Sequence, residues 1–154
     1  MEGDVLSVER VIAAPPEEIF AVVADAARHP DIDGSGTVKQ VKAGAPQRLG
    51  PGSTFGMAMR MGIPYSMVNT VVEFEQDRRI AWQARLPGAL GLLVGGRIWR
   101  YELEPADGGT RVRESWDISR DRQRPLLKLG KLPETTRRNM ERTLERLDHL
   151  VAGD

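Results

Sequence analysis

The chain contains no cysteine. That excludes disulfides, thiolate nucleophiles and cysteine-based metal sites. It has two histidines, His29 and His149, far apart in sequence. They do not supply a zinc ligand set, so no metal is expected, and no motif calls for another cofactor. Neither sign of charge is in excess, with 22 basic and 22 acidic residues, so the electrostatic footprint of a nucleic-acid binder is missing from the whole. No long apolar stretch is present. The longest, GALGLLVGG at 88–96, is about half of the ~20 residues a membrane span requires. The opening MEGDVLSVERVIAA has no basic stretch followed by an apolar block, so no signal peptide is read. These absences predict a soluble, cytoplasmic protein with no stable membrane insertion. The length of 154 residues suits one domain, 1–154, and no internal repeat divides it.

What is present is a run of alternating segments. VLSVERVIAAP (5–15) reads as a strand stopped by Pro15-Pro16. PEEIFAVVADAARH (16–29) reads as a helix: Pro16 suits its first turn, Glu17 and Glu18 complement its positive end, and Pro30 ends it or forces a break. Strands are predicted at 36–44, 53–61, 65–75, 78–86, 96–105 and 110–119, with turns at QRLGPGS, GIP, Gln76-Asp77 and ADGGT. The segment 120–133 is basic and broken by Pro125, Gly130 and Pro133. PETTRRNMERTLERLDHLV (133–151) then reads as a long helix, with Met140, Leu144, Leu147 and Val151 at helical spacing. Consecutive strands with tight turns imply an antiparallel meander, and the long helix is the natural cover for its buried face.

On VERVIAAPPEEIFAVVAD, NTVVEFEQDRRIAWQ and WRYELEPADGGTRVRESWD, the chain resembles the START/polyketide-cyclase superfamily (SRPBCC) over nearly its whole length. The resemblance implies an α+β helix-grip fold. A curved seven-stranded antiparallel sheet would wrap around the long C-terminal helix, with one or two short helices after the first strand. It also implies a cavity between sheet and helix for a hydrophobic or amphipathic small molecule, lipid-like or polyketide-like. Members include carriers and aromatase/cyclases, so fold alone leaves binding and catalysis open. A third alternative is an interaction module using the loop 86–97.

Candidate cavity residues follow from strand parity. Met57, Met59 and Met61 share a face with Phe55, and Met67 joins them from the next strand. Methionine is over-used on walls that accept varied apolar partners, although ordinary core packing gives the same pattern. Trp99, Tyr101 and Trp116 are expected inward, facing Met140 and Leu144 of the last helix. Three polar residues share these faces: Asn69, Arg97 and Glu114. A buried charge needs a partner, so Arg97 and Glu114 pair with each other, with other groups, or with a ligand. They are the two weak candidates for catalysis, Glu114 as a general base.

RHPDIDGSG (28–36) gathers a histidine, two aspartates and a serine. It lacks a nucleophile elbow, and DGSG is a turn composition. It reads as a structured loop, and the family resemblance implies that His29 and Asp33 lie at the cavity mouth. The Leu-rich 86–97 loop reads as a lid, a homodimer contact or a packed loop. The cations Arg120, Arg122, Arg124, Lys128 and Lys131 read as a solvated face that could also touch acidic lipid.

Overall fold

The computed structural model describes residues 3–41 and 48–153, without the side chains of Gln40, Val41 and Met61. The order is β1 (Val5–Ile12), α1 (Pro16–Val23), a 3-10 turn (Ala26–Arg28), α2 (His29–Ile32), β2 (Val38–Val41), β3 (Thr54–Met61) and β4 (Ile63–Glu75). There follow β5 (Arg79–Arg85), a second 3-10 turn (Gly88–Leu92), β6 (Gly95–Ala106), β7 (Gly109–Asp117), α3 (Arg124–Leu127) and α4 (Leu132–Ala152). The strands form one antiparallel sheet in the order β1-β7-β6-β5-β4-β3-β2. Strands β2 to β7 are thus a meander, and β1 returns to pair with β7 along its full length.

Two differences from the sequence reading have local causes. The helix expected over 16–29 ends at Val23. Asp25 adopts an extended conformation and its carboxylate accepts the Ala27 amide at 3.1 Å, which starts a 3-10 turn. Pro30 then opens α2 instead of closing the first helix. The expected strand 36–44 is described only as far as Val41; its remainder lies outside the described residues.

Alternation decides which side chains are dry. Leu6, Val8 and Ile12 of β1, Val112, Glu114 and Trp116 of β7, and Tyr101 and Leu103 of β6 point to the concave face and are buried. The outer face carries ion pairs: Arg100 donates to both Glu73 oxygens, at 2.9 and 2.6 Å, and Arg79 reaches Glu102 at 2.8 Å. A surface cleft of about 160 Å³ on that face is lined by such pairs, including Arg113 with Glu9 and Arg111 with Glu104.

The long helix does not cover the concave face alone. α4 runs beside β1 and the α2 segment, burying Met140, Leu144 and Leu147, while α1 lies over β6. Phe20 of α1 meets Phe74 of β4 edge-on at 5.6 Å. The α2 segment is fastened to α4 at Gly34, whose amide donates to Thr143 Oγ1 at 2.9 Å. A Cβ on Gly34 would stand 2.6 Å from Arg142 Cβ and 2.7 Å from the Thr143 nitrogen. Gly34→Ala therefore has to push this loop off the helix. The expected cost is about 1–3 kcal/mol, lowering Tm by several degrees in a thermal melt. An unchanged Tm would show that the contact is not tight.

Candidate functional site

Inward side chains form rows across the sheet. Trp82, Trp99, Trp116 and Leu6 are successive cross-strand neighbours on β5, β6, β7 and β1. One row deeper lie Ile80, Tyr101, Glu114 and Val8. Towards the other edge, Asn69 stands between Phe55 and Ala84, and Met57 faces Met67. Phe55, Met57, Met67, Asn69, Tyr101, Glu114 and Trp116 are all buried, as are Met140 and Leu144 of α4. Met61 lies on the same strand, but its side chain is outside the described residues.

Burial varies along these rows. Ile12, Ile80 and Val112 are fully buried where α1 enters. Met59, Tyr65 and Trp99 are half-buried, and the Arg97 side chain is 27% exposed. Burial along the concave face is thus tightest where α1 enters and loosest at its other, open end, where β4 and β6 begin.

Glu114 is the chemically distinctive residue. It is 3% exposed, between Val8 and Tyr101 on the flanking strands. Its Oε1 is the one buried side-chain nitrogen or oxygen among the described residues with no hydrogen-bond partner in the protein. Burial pushes its carboxyl up to about 8; the Tyr101 hydroxyl, which donates to it, offsets part of that rise, and the charge of Asp33 adds to it. At neutral pH it is a neutral acid with a hydrogen to donate. Burial likewise holds the Tyr101 phenol well above its ordinary value, with the Glu114 carboxyl adding to the effect.

Arg97 is not its partner. Tyr101, directly opposite Glu114, is four residues further along β6, or about 13 Å away from Arg97. Arg97 instead binds Asp121, whose side chain is fully buried, through its amide and its Nε, both at 3.0 Å. The charge of Arg97 reaches the half-buried Tyr65 at the open end, where it opposes the rise that burial gives the phenol.

His29 is placed inside the core, not at the mouth. It is 7% exposed, stacked on Trp82 with ring centroids 4.7 Å apart and edge-on to Phe55 at 5.5 Å. Its Nε2 lies 2.8 Å from the Val23 carbonyl, to which it donates. Desolvation lowers its pKa, so it is neutral near pH 7. Asp33 is half-buried, and its carboxylate is occupied by the Ser35 amide and hydroxyl and the Val38 amide. Ser35 bonds Asp33 and Thr37 while His29 bonds backbone, so the stretch 28–36 is a turn and no triad.

Two wall residues escaped the sequence reading. Trp82 shares parity with Ile80 and Ala84, and its pairing with Trp99 was available once the register was known. Tyr65 shares parity with Met67 and Asn69, so alternation along the predicted strand 65–75 is the signal that identifies it. Among the described residues, no group of three or more His, Asp or Glu side chains is arranged to hold a metal ion. No helix among them is long and apolar enough to cross a membrane.

A curled seven-stranded antiparallel sheet with a long C-terminal helix and short helices after the first strand defines a helix-grip fold. The family model described as polyketide cyclase / dehydrase and lipid transport matches residues 5–152, and the chain belongs to that family. It is 37% identical over 109 residues to the uncharacterized protein Rv0088 of Mycobacterium tuberculosis, covering 69% of this chain and 44% of that protein. The chain thus spans less than half the length of the curated relatives it matches. Among solved structures it is similar to protein CV1439 from Chromobacterium violaceum (TM-score 0.71, 18% identity, covering 98% of this chain and 99% of that one). It is also similar to protein NE0264 from Nitrosomonas europaea (TM-score 0.70, 16% identity, 99% and 97%). The Aha1 dimer from Colwellia psychrerythraea shares the fold at TM-score 0.66 and 14% identity, covering 96% and 95%. The family and fold suggest a role in binding a hydrophobic ligand.

The raised carboxyl makes a signed prediction. The folded protein keeps a proton on Glu114 that the unfolded chain releases above pH 4.5. Its contribution to stability is therefore fully present below about pH 4.5, declines as pH rises towards about 8, and is level beyond. Urea unfolding of wild type and Glu114→Gln across this window should diverge by about 1 kcal/mol per pH unit, the wild type weakening. His29 acts equally on both proteins and cancels. A difference independent of pH would mean that Glu114 is ionised throughout.

Proposed function

We propose that the protein binds a hydrophobic small molecule against the concave face, entering at the end where β4 and β6 begin. Flat or unsaturated parts of the ligand lie on Trp99 and Trp116, apolar parts on Met57, Met59 and Met67. A carbonyl or hydroxyl oxygen accepts a hydrogen bond from Glu114. The observation that carries this reading is the unpartnered Glu114 Oε1 behind the aromatic row. An unmet buried polar atom costs about 1–3 kcal/mol, and a ligand oxygen there relieves it. A neutral carboxyl favours an acceptor over a cation, and Tyr101 holds the carboxyl in place.

A second reading, a cyclase- or aromatase-type enzyme, rests on the same group. A carboxyl that titrates near neutrality suits proton transfer to or from a bound carbonyl compound. Arg97 stands about 13 Å along β6 from the Glu114 row and its Nε donates to Asp121, so this second reading rests on Glu114 rather than on Arg97.

All three tryptophans of the chain lie on the concave face, so their fluorescence reports occupancy. Titration with a long-chain fatty acid and with a polycyclic aromatic ketone should give saturable quenching for one of them. Glu114→Leu should weaken that ligand about tenfold, equivalent to about 1.4 kcal/mol, with the melt intact. Glu114→Gln, which keeps a donor, should hold affinity within a few-fold. Loss of turnover without loss of binding in Glu114→Gln would favour the enzyme. Absence of saturable quenching by either compound, together with a bare protein mass in native mass spectrometry, would reject the binding reading.

A further inference from the structure

The open end of the concave face is framed by two segments, residues 85–97 and 120–132. They are laced together by the Gln123 side chain and by one backbone hydrogen bond. Gln123 accepts the Gly95 amide at 2.9 Å and donates to the Leu93 carbonyl at 2.7 Å, while the Arg122 amide donates to the Gly95 carbonyl at 3.0 Å. Gly96 packs so closely that a Cβ would run into the Arg120 carbonyl. The frame is anchored inward by Leu127, which is buried, and by the Arg97–Asp121 pair.

From this ordered frame five leucines point into solvent. Leu90, Leu92, Leu93, Leu126 and Leu129 are each between 59% and 69% exposed. Burying a leucine is worth about 1.5–3 kcal/mol, so five held outward on one end form an unpartnered apolar surface. The same two segments hold seven basic residues and one acid, Asp121, which is already paired. Asp4 offsets part of this by reaching Arg124 at 3.3 Å and Lys128 at 3.0 Å. The chain as a whole is neutral, so the net positive charge of these segments is balanced by a net acidic remainder of the chain. A second copy presenting the same face would be repelled. Leucines set among cations match a surface that is apolar beneath and anionic above.

We propose that this end of the molecule docks peripherally on an anionic phospholipid surface. Leu92, Leu93, Leu126 and Leu129 enter the headgroup–acyl boundary, and Arg120, Arg122 and Lys131 contact the headgroups. Docking places the open end of the concave face against the bilayer. The proposal is independent of which ligand the face holds.

Co-sedimentation with phosphatidylcholine vesicles, with and without about one-third phosphatidylglycerol, tests it. Binding is expected on the anionic vesicles and not on the neutral ones, and high salt should weaken it. The double variants Leu92→Asp/Leu93→Asp and Arg120→Glu/Arg122→Glu should each weaken binding at least about tenfold, with thermal melts unchanged because these side chains are exposed. Failure to bind anionic vesicles, or binding that survives both double variants, would overturn the proposal. So would sedimentation showing a dimer that the leucine variant dissociates, since the leucines would then belong to a second copy.

Discussion

An antiparallel sheet that curls on itself sends every second side chain of each strand into one shared interior, and in this protein everything else follows from what has to be placed there. The period of two leaves no freedom: once β7 pairs with β6, Val112, Glu114 and Trp116 must all go in together. A carboxyl enters the interior because it stands between two residues that the core requires. The interior also has to be covered. α4 lies beside β1 and leaves the middle strands to α1 and α2, which is why the chain inserts a broken helical segment right after the first strand. Gly34 is where this segment touches α4, with no room for a side chain between the backbones.

Glu114 sets stability against function. An apolar residue of the same size would remove the desolvation cost and the unpartnered oxygen together, as replacement of buried polar groups by packed apolar ones often does. Tyr101 meets only part of the need. A carboxyl kept in such a place, one row behind three aligned tryptophans, is better matched to a polar atom arriving from the open end than to any group the fold supplies. The raised pKa of Glu114 follows from the same burial.

Much of the architecture was legible in the sequence because strand alternation and the spacing of Met140, Leu144 and Leu147 are local signals. They placed Phe55, Met57, Met67, Asn69, Tyr101, Glu114 and Trp116 on one face, where the structure has them buried. What was not legible depended on register and on breaks in local structure. Parity put Arg97 on the face of Glu114, but separation along the strand and the capture by Asp121 come from a segment 24 residues away. His29 reads as a mouth residue only through the family resemblance, which puts this stretch after the short helices. The Asp25 cap ends the helix early and turns the imidazole onto Trp82. Trp82 itself lay in a strand whose facing could be set only by its pairing with Trp99.

Net charge is the property that misleads most. Twenty-two charges of each sign suggest a surface indifferent to ionic partners. The fold separates them. On the outer face of the sheet, acids and bases alternate across strands and neutralise one another, as Arg100 with Glu73 and Arg113 with Glu9 do. At the open end, cations stand among exposed leucines with few acids nearby. A neutral total thus conceals one end with a distinct chemistry. That end is also where the interior becomes accessible, through Met59, Tyr65 and Trp99. On the proposed reading, a hydrophobic molecule leaving water for the concave face passes this rim. A rim that is both apolar and cationic lowers the barrier most for molecules already held in an anionic film, so the position of the charge bears more directly on the source of the ligand than its sum does.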